Sequence, residues 1–193
     1  MGWKEIRKGS HKEDALWNGR HRFEHWYIDN QVYFITARVR GRHHAFKSDE
    51  AQAIFWDRFD HWVGQSSYVP WVTSLQINHY HTLGYLRHGH DLPVLMKRLH
   101  GSIAKLVNDL LPDRITPFWV DAGHQNYFDG CIRNERQARR AYRYTLTQAQ
   151  RHRSGDWPAN ANTRAPIGID VAVKQAHQLE AFLEAVPYQR YDG

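Results

Sequence analysis

Two β-type segments, residues 68–77 and 79–86, follow each other with only Asn78 to bend between them. Parallel strands need a crossover of a dozen or more residues, so these two are expected to pair as an antiparallel hairpin. That hairpin fixes the middle of the fold, and the flanking segments must arrange themselves around it.

Upstream, Val32-Tyr33-Phe34-Ile35-Thr36-Ala37-Arg38-Val39 is dense in β-branched and aromatic residues and reads as the first strand. Ser48-Asp49-Glu50-Ala51 has the form of a capped helix start, with Ile54, Phe55, Phe59 and Trp62 at helical spacing behind it. Downstream, Asp91-Leu92-Pro93 offers an N-cap with proline just inside. Val94, Leu95, Leu99, Ile103, Leu106, Val107 and Leu110 then trace an apolar helix face that ends near Pro112. Residues 115–128 read as a strand region broken around Gly123, and Asn134-Glu135 opens a basic helix running to about Arg153. Residues 154–166 are a loop by composition, and 169–186 a closing amphipathic helix.

The order β-α-β-β-α-β-α predicts an α+β fold of ferredoxin or RRM-like type, a central antiparallel sheet with helices packed on one face. At 193 residues the chain is expected to form one domain: a basic arm over 1–28, a core over 29–153, and a loop with a helix over 154–193. No internal repeat or low-complexity segment interrupts it. Many RNA-binding modules share this arrangement, so the fold does not decide the function.

Charge narrows the field. Lys and Arg outnumber Asp and Glu by 26 to 20, giving a net charge of +6 and a pI near 9.5. Clustered cations gain free energy by displacing counterions from a phosphate backbone, which points to nucleic acid as the partner. Eight Trp and ten Tyr accompany that charge, and aromatic rings beside cations suit unpaired bases, although core packing uses the same residues. Cys131, the only cysteine, excludes an intramolecular disulfide framework and fits a cytoplasmic location. No apolar run reaches signal-peptide or membrane-spanning length, so no membrane association is expected.

In His79-Tyr80-His81 strand alternation sends both imidazoles to one face, about 6–7 Å apart along the chain, where two rings can grip one metal ion. Taken alone, such a pair is more often two ordinary polar strand residues. His88-Gly89-His90 sits in a turn and His43-His44 in a loop beside Arg40 and Arg42, so both read as surface groups. On the third helix Tyr144 and Gln148 are four residues apart and share a face, so a phenol and an amide oxygen can reach one site. Tyr142 points about 200° away around the helix and reads as packing. A half-buried aromatic on an amphipathic helix is the competing reading of Tyr144.

The residues His25-Trp26, the strand 32–39, Asn78-His79-Tyr80-His81, the run 127–135 and Arg143-Tyr144 occur in an order that resembles the REP-associated tyrosine transposases, and more broadly the single-tyrosine HUH transposases of small insertion sequences. The resemblance covers residues 20–150 or so and leaves the last forty unexplained. It implies an HUH fold, with His79 and His81 as paired metal ligands, Tyr80 as the bulky residue between them, Tyr144 as nucleophile and Gln148 as a third ligand. The activity it implies is a Mg- or Mn-dependent endonuclease and strand transferase on single-stranded hairpin DNA, passing through a 5′-phosphotyrosine. A homodimer is compatible with it. Arg38, Arg40, Arg42, Arg133, Arg136, Arg140 and Arg143 would then contact DNA, with Arg139, Arg151 and Arg153 of the same basic segment expected to add phosphate contacts. Two departures bear on the subgroup: members usually carry Asn-Asn-Pro soon after the tyrosine and Met-Pro before the Asn-His, whereas this chain has Thr145-Leu146-Thr147-Gln148 and Gln76-Ile77.

Two rival readings remain. One is a noncatalytic nucleic-acid-binding α+β module whose aromatics stack on bases. The other is a zinc hydrolase, which would need Asp121 or Asp129 as a base for a metal-bound water.

Overall fold

The computed structural model describes residues 27–120, 126–148 and 162–182. Five strands, β1 (Gln31–Arg38), β2 (Tyr68–Leu75), β3 (His79–Leu86), β4 (Phe128–Cys131) and β5 (Asn162–Arg164), form one antiparallel sheet in the order β4-β1-β3-β2-β5. Helices α1 (Asp49–Val63), α2 (Asp91–Asn108), α3 (Glu135–Leu146) and α4 (Ile169–Gln178) pack on it. The β2–β3 hairpin and the mixed fold class are as the sequence predicts. So is the start of α1, where the Ala51 N–H donates to the Ser48 hydroxyl at 3.2 Å.

Alternation along each strand divides the core in two. Tyr33, Ile35, Ala37 and Tyr80 face α1 and α2 and pack with Phe55, Phe59, Leu95, Leu99 and Ile103. Val32, Trp71, Val72 and Leu83 face the other way, against Ala138 and Tyr142 of α3 and Ala172, Val173 and Ala176 of α4. Helices therefore cover both faces, not one. The sequence hid the second layer because α3 presents only small or amphipathic side chains, Ala138, Tyr142 and Thr145, from an otherwise charged helix.

Five local expectations change. Asp91 is not the cap of α2: the N-cap is His90, which makes no side-chain cap bond, and the Asp91 carboxylate accepts from the Ser67 N–H at 3.0 Å instead. Val94, Leu106 and Leu110 are exposed, and the buried stripe of α2 is displaced to Leu92, Leu95, Met96, Leu99, Ile103 and Val107. Strand pairing after α2 is an isolated bridge from Trp119 to Val39 followed by β4, and the loop expected at 154–166 contains edge strand β5. Finally, α3 stops at Leu146 with Thr147 as its C-cap, short of Arg153. The arm up to residue 26, the Gly123 break, residues 149–161 and the last residues of the predicted closing helix lie outside the described residues.

Candidate active site

The face of the sheet under α3 carries the histidine pair. Register sets Arg38 opposite His79 and Thr36 opposite His81, and directly opposed residues project from the same face. The result is a polar patch in a face that is otherwise apolar. His79 and His81 are both buried, with ring centroids 4.9 Å apart.

Each imidazole is held at Nδ1 by a side-chain oxygen. Thr36 Oγ1 lies 2.7 Å from His81 Nδ1, and Asn78 Oδ1 lies 2.7 Å from His79 Nδ1. An oxygen at Nδ1 fixes ring orientation and favours the tautomer that offers the Nε2 lone pair, the arrangement found behind metal-ligating histidines. Asn78 is itself fastened, its Nδ2 donating to the Arg42 carbonyl at 3.2 Å. Sequence reading gave Thr36 no role and Asn78 only that of a bend, yet strand register could have paired Thr36 with His81.

Helix α3 lies across β2 and β3 and delivers Tyr144 to this patch. The Tyr144 and His81 rings meet edge-on, 5.2 Å between centroids and 72° between planes. Phe34 completes the group, stacked on His81 at 5.6 Å and edge-on to Tyr144 at 6.1 Å. Tyr144 keeps 37% of its surface exposed, so a polymer can reach it. Tyr142 behaves as read: it is buried under α4, and its hydroxyl donates to the Ile167 carbonyl at 3.1 Å. Burial raises its phenol above the usual range.

Gln148 lies beyond the C-cap of α3, so it is not the next turn of a continuous helix. It is nevertheless buried, and its Nε2 donates to the Tyr144 carbonyl at 3.2 Å, which keeps it beside the tyrosine. Among the described residues no three His, Cys, Asp or Glu side chains gather as a metal site. The donors that fit a divalent ion are therefore two tethered imidazoles with amide oxygen, a set with room for substrate phosphate oxygens.

The arginines fall into three groups. Arg136, Arg140 and Arg143 are exposed at i, i+4 and i+7 on α3, one residue short of Tyr144. Arg38 projects beside His79, and the turn holding Arg42 is bonded to Asn78; Arg40 sits in the same turn with its guanidinium donating to the Thr116 carbonyl. Arg133 is half-buried just before the Asn134 cap. Arg139, by contrast, is tied to Glu135 and Asp170, each at 2.7 Å.

His88 and His90 are surface groups, as their turn position predicts, whereas Asp129 falls away from the site. His88 and His90 are exposed and stack on each other at 5.7 Å, at the opposite end of β3 from His79. Asp129 is opposite Ile35, on the α1–α2 face, so it cannot serve as a base for a water held by His79 and His81. Asp121 lies outside the described residues.

No family model matches this chain, and no curated protein does. Among solved structures it is similar to a REP-associated tyrosine transposase bound to a REP hairpin, with a TM-score of 0.55 and 15% identity over 68% of this chain and 73% of that one. The likeness is one of fold. Among the described residues no helix is long and apolar enough to cross a membrane.

Proposed function

We propose that this chain is a metal-dependent single-stranded DNA endonuclease and strand transferase that acts at hairpin ends and becomes joined to the cut DNA through Tyr144. The observation that carries this reading is the contact of the Tyr144 ring with His81, beside a second imidazole tethered in the same way. The similar fold of a hairpin-bound tyrosine transposase supports it.

In this reading His79, His81 and Gln148 hold a magnesium or manganese ion, which when bound polarises the scissile phosphate and stabilises charge on the departing oxygen. Arg136, Arg140 and Arg143 hold the DNA backbone along α3, with Arg133 at its start and Arg38, Arg40 and Arg42 on the other side of the histidines. Tyr144 loses its phenolic proton and its oxygen bonds to phosphorus. The bond from phosphorus to the 3′-oxygen breaks, and that oxygen takes up a proton. The product is a 5′-phosphotyrosine with a free 3′-hydroxyl, and attack by a second 3′-hydroxyl reverses the step to join a new end.

Incubating the protein with a labelled pool of single-stranded hairpins and Mn²⁺ is expected to give a protein–DNA adduct on a denaturing gel, absent with Tyr144→Phe. Binding without any adduct, or equal adduct from Tyr144→Phe, supports the noncatalytic module in its place.

A further inference from the structure

The tight turn between β2 and β3 places one more side chain at the histidines. The Gln76 N–H donates to the His79 carbonyl at 2.7 Å, so these two residues oppose each other across Ile77 and Asn78 and project from the same face. Ser74, two residues earlier, is the register partner of His81. The Gln76 side chain turns back along this row, its Nε2 donating to the Ser74 hydroxyl at 2.8 Å. Ser74 is in turn 2.8 Å from the Thr163 hydroxyl of β5, so the amide is gripped from the sheet side.

Its carbonyl oxygen is different. Gln76 is 2% exposed, and among the described residues no donor reaches Oε1. A buried amide oxygen left without a donor is costly, and native chains rarely keep one unless an ion or water meets it. Here the orphaned oxygen shares a sheet face with two imidazoles whose outer nitrogens suit a cation. Opposed strand positions place Cβ atoms about 5 Å apart, and next-but-one positions about 7 Å apart, within the reach of Gln and His to one centre.

We propose that Gln76 Oε1 is a metal ligand supplied by the sheet, acting with His79 and His81. The inference rests on the metal-binding reading of the histidine pair and adds a donor to it. With Gln148 from the helix side the protein then contributes two nitrogens and two amide oxygens. A divalent ion of the Mn²⁺ class held by these four residues would supply Lewis acidity to substrate phosphate oxygens. The donor set also has a functional meaning: Gln76 places an uncharged oxygen where a carboxylate would bind the ion more tightly and weaken its pull on phosphate.

The test is Mn²⁺ binding by the intact chain without DNA, followed by calorimetry and by the loss of free-Mn²⁺ EPR signal. The variants are Gln76→Met, Gln76→Glu and His79→Ala, with thermal melts to establish that each is folded. Gln76→Met is expected to weaken Mn²⁺ binding about tenfold or more. Gln76→Glu, nearly the same shape, is expected to tighten it. Met and Glu variants that both bind within twofold of wild type overturn the proposal. If wild type binds no Mn²⁺, or His79→Ala binds as well as wild type, the histidine site itself fails and the Gln76 proposal with it. If Mn²⁺ binding responds to Gln76 as expected while no DNA adduct forms, the ligand stands and the strand-transfer chemistry falls.

Discussion

Tyr144 is located at the histidine pair by its ring: the edge-on contact with His81 at 5.2 Å and the one with Phe34 at 6.1 Å both survive loss of the hydroxyl. Tyr142, two residues earlier, depends on its hydroxyl, which donates to Ile167 at 3.1 Å. Removing one oxygen from each tyrosine separates their roles. Tyr144→Phe, which keeps both ring contacts, is expected to abolish adduct formation. Tyr142→Phe is expected to cost about 1 kcal/mol of stability, the worth of one hydrogen bond, and to leave the adduct yield intact. Urea melts and a denaturing gel on both proteins separate the cases. Adduct from Tyr144→Phe, or its loss in a folded Tyr142→Phe, would exchange their roles.

The Thr36 hydroxyl, 2.7 Å from His81 Nδ1, is the more sensitive of the two tethers because the backbone pairing of β1 with β3 fixes its position. Thr36→Val keeps the β-branched shape and deletes the oxygen. Groups of this kind behind a ligating histidine are worth about 10–100-fold in metal affinity, and a loss in that range is expected for Mn²⁺ by calorimetry. Thr36→Ser, which restores the oxygen, should recover most of it. A Val variant that binds Mn²⁺ like wild type would show that His81 is not a ligand.

Arginines on α3 divide by what already holds them. Arg136, Arg140 and Arg143 form an exposed stripe leading to Tyr144, whereas Arg139 is committed to Glu135 and Asp170. Replacing any of the first three by Ala is expected to weaken hairpin binding and to lower the slope of log affinity against log salt by roughly one unit. Arg139→Ala should leave that slope alone. Fluorescence anisotropy across a salt series reads both. An unchanged slope in all three stripe variants would remove α3 from the DNA-binding surface.

Much of this arrangement was legible because it follows from short-range periodicity. Period-two alternation placed His79 and His81 together, and the spacing of Tyr142 and Tyr144 sent one inward and the other toward the histidines. Asn134 announced the start of α3, and its side chain does accept from the Gln137 N–H at 2.9 Å. What stayed hidden depends on which strand lies beside which. Asp129 looked usable until its pairing with Ile35 put it on the far face, and Gln76 gained meaning only from the turn that sets it opposite His79. β5 was missed because Asn162, Thr163 and Arg164 have no apolar alternation; they pair through the β2 backbone and the Ser74 hydroxyl. The continuous helix drawn from Tyr144 to Gln148 was too long, since Thr147 caps it first.

His100 ties the core beneath the site to pH. It is buried in α2, its Nε2 2.9 Å from the Tyr80 hydroxyl and its ring stacked on Trp119 at 4.6 Å. Burial pushes its pKa down to about 3, so the folded chain keeps this ring neutral. In the unfolded chain an ordinary histidine titrates near pH 6.5. Between those values the unfolded state binds the extra proton, so the contribution is fully present above about pH 6.5 and is lost as pH falls toward 3. A one-unit difference is worth about 1.4 kcal/mol, so moving from pH 7 to pH 5 should cost about 2 kcal/mol through this group alone. Asp91 and Glu135, both held below the usual carboxylate range by hydrogen bonds, also lose stabilisation as pH falls, but only at lower pH than His100. The window from 5 to 7 therefore separates them from His100. His100→Gln, which can still accept from Tyr80, is expected to be less stable at pH 7 but to show a flatter decline to pH 5 in urea denaturation. An identical decline in the two proteins would mean that His100 is not the group that couples folding to protons.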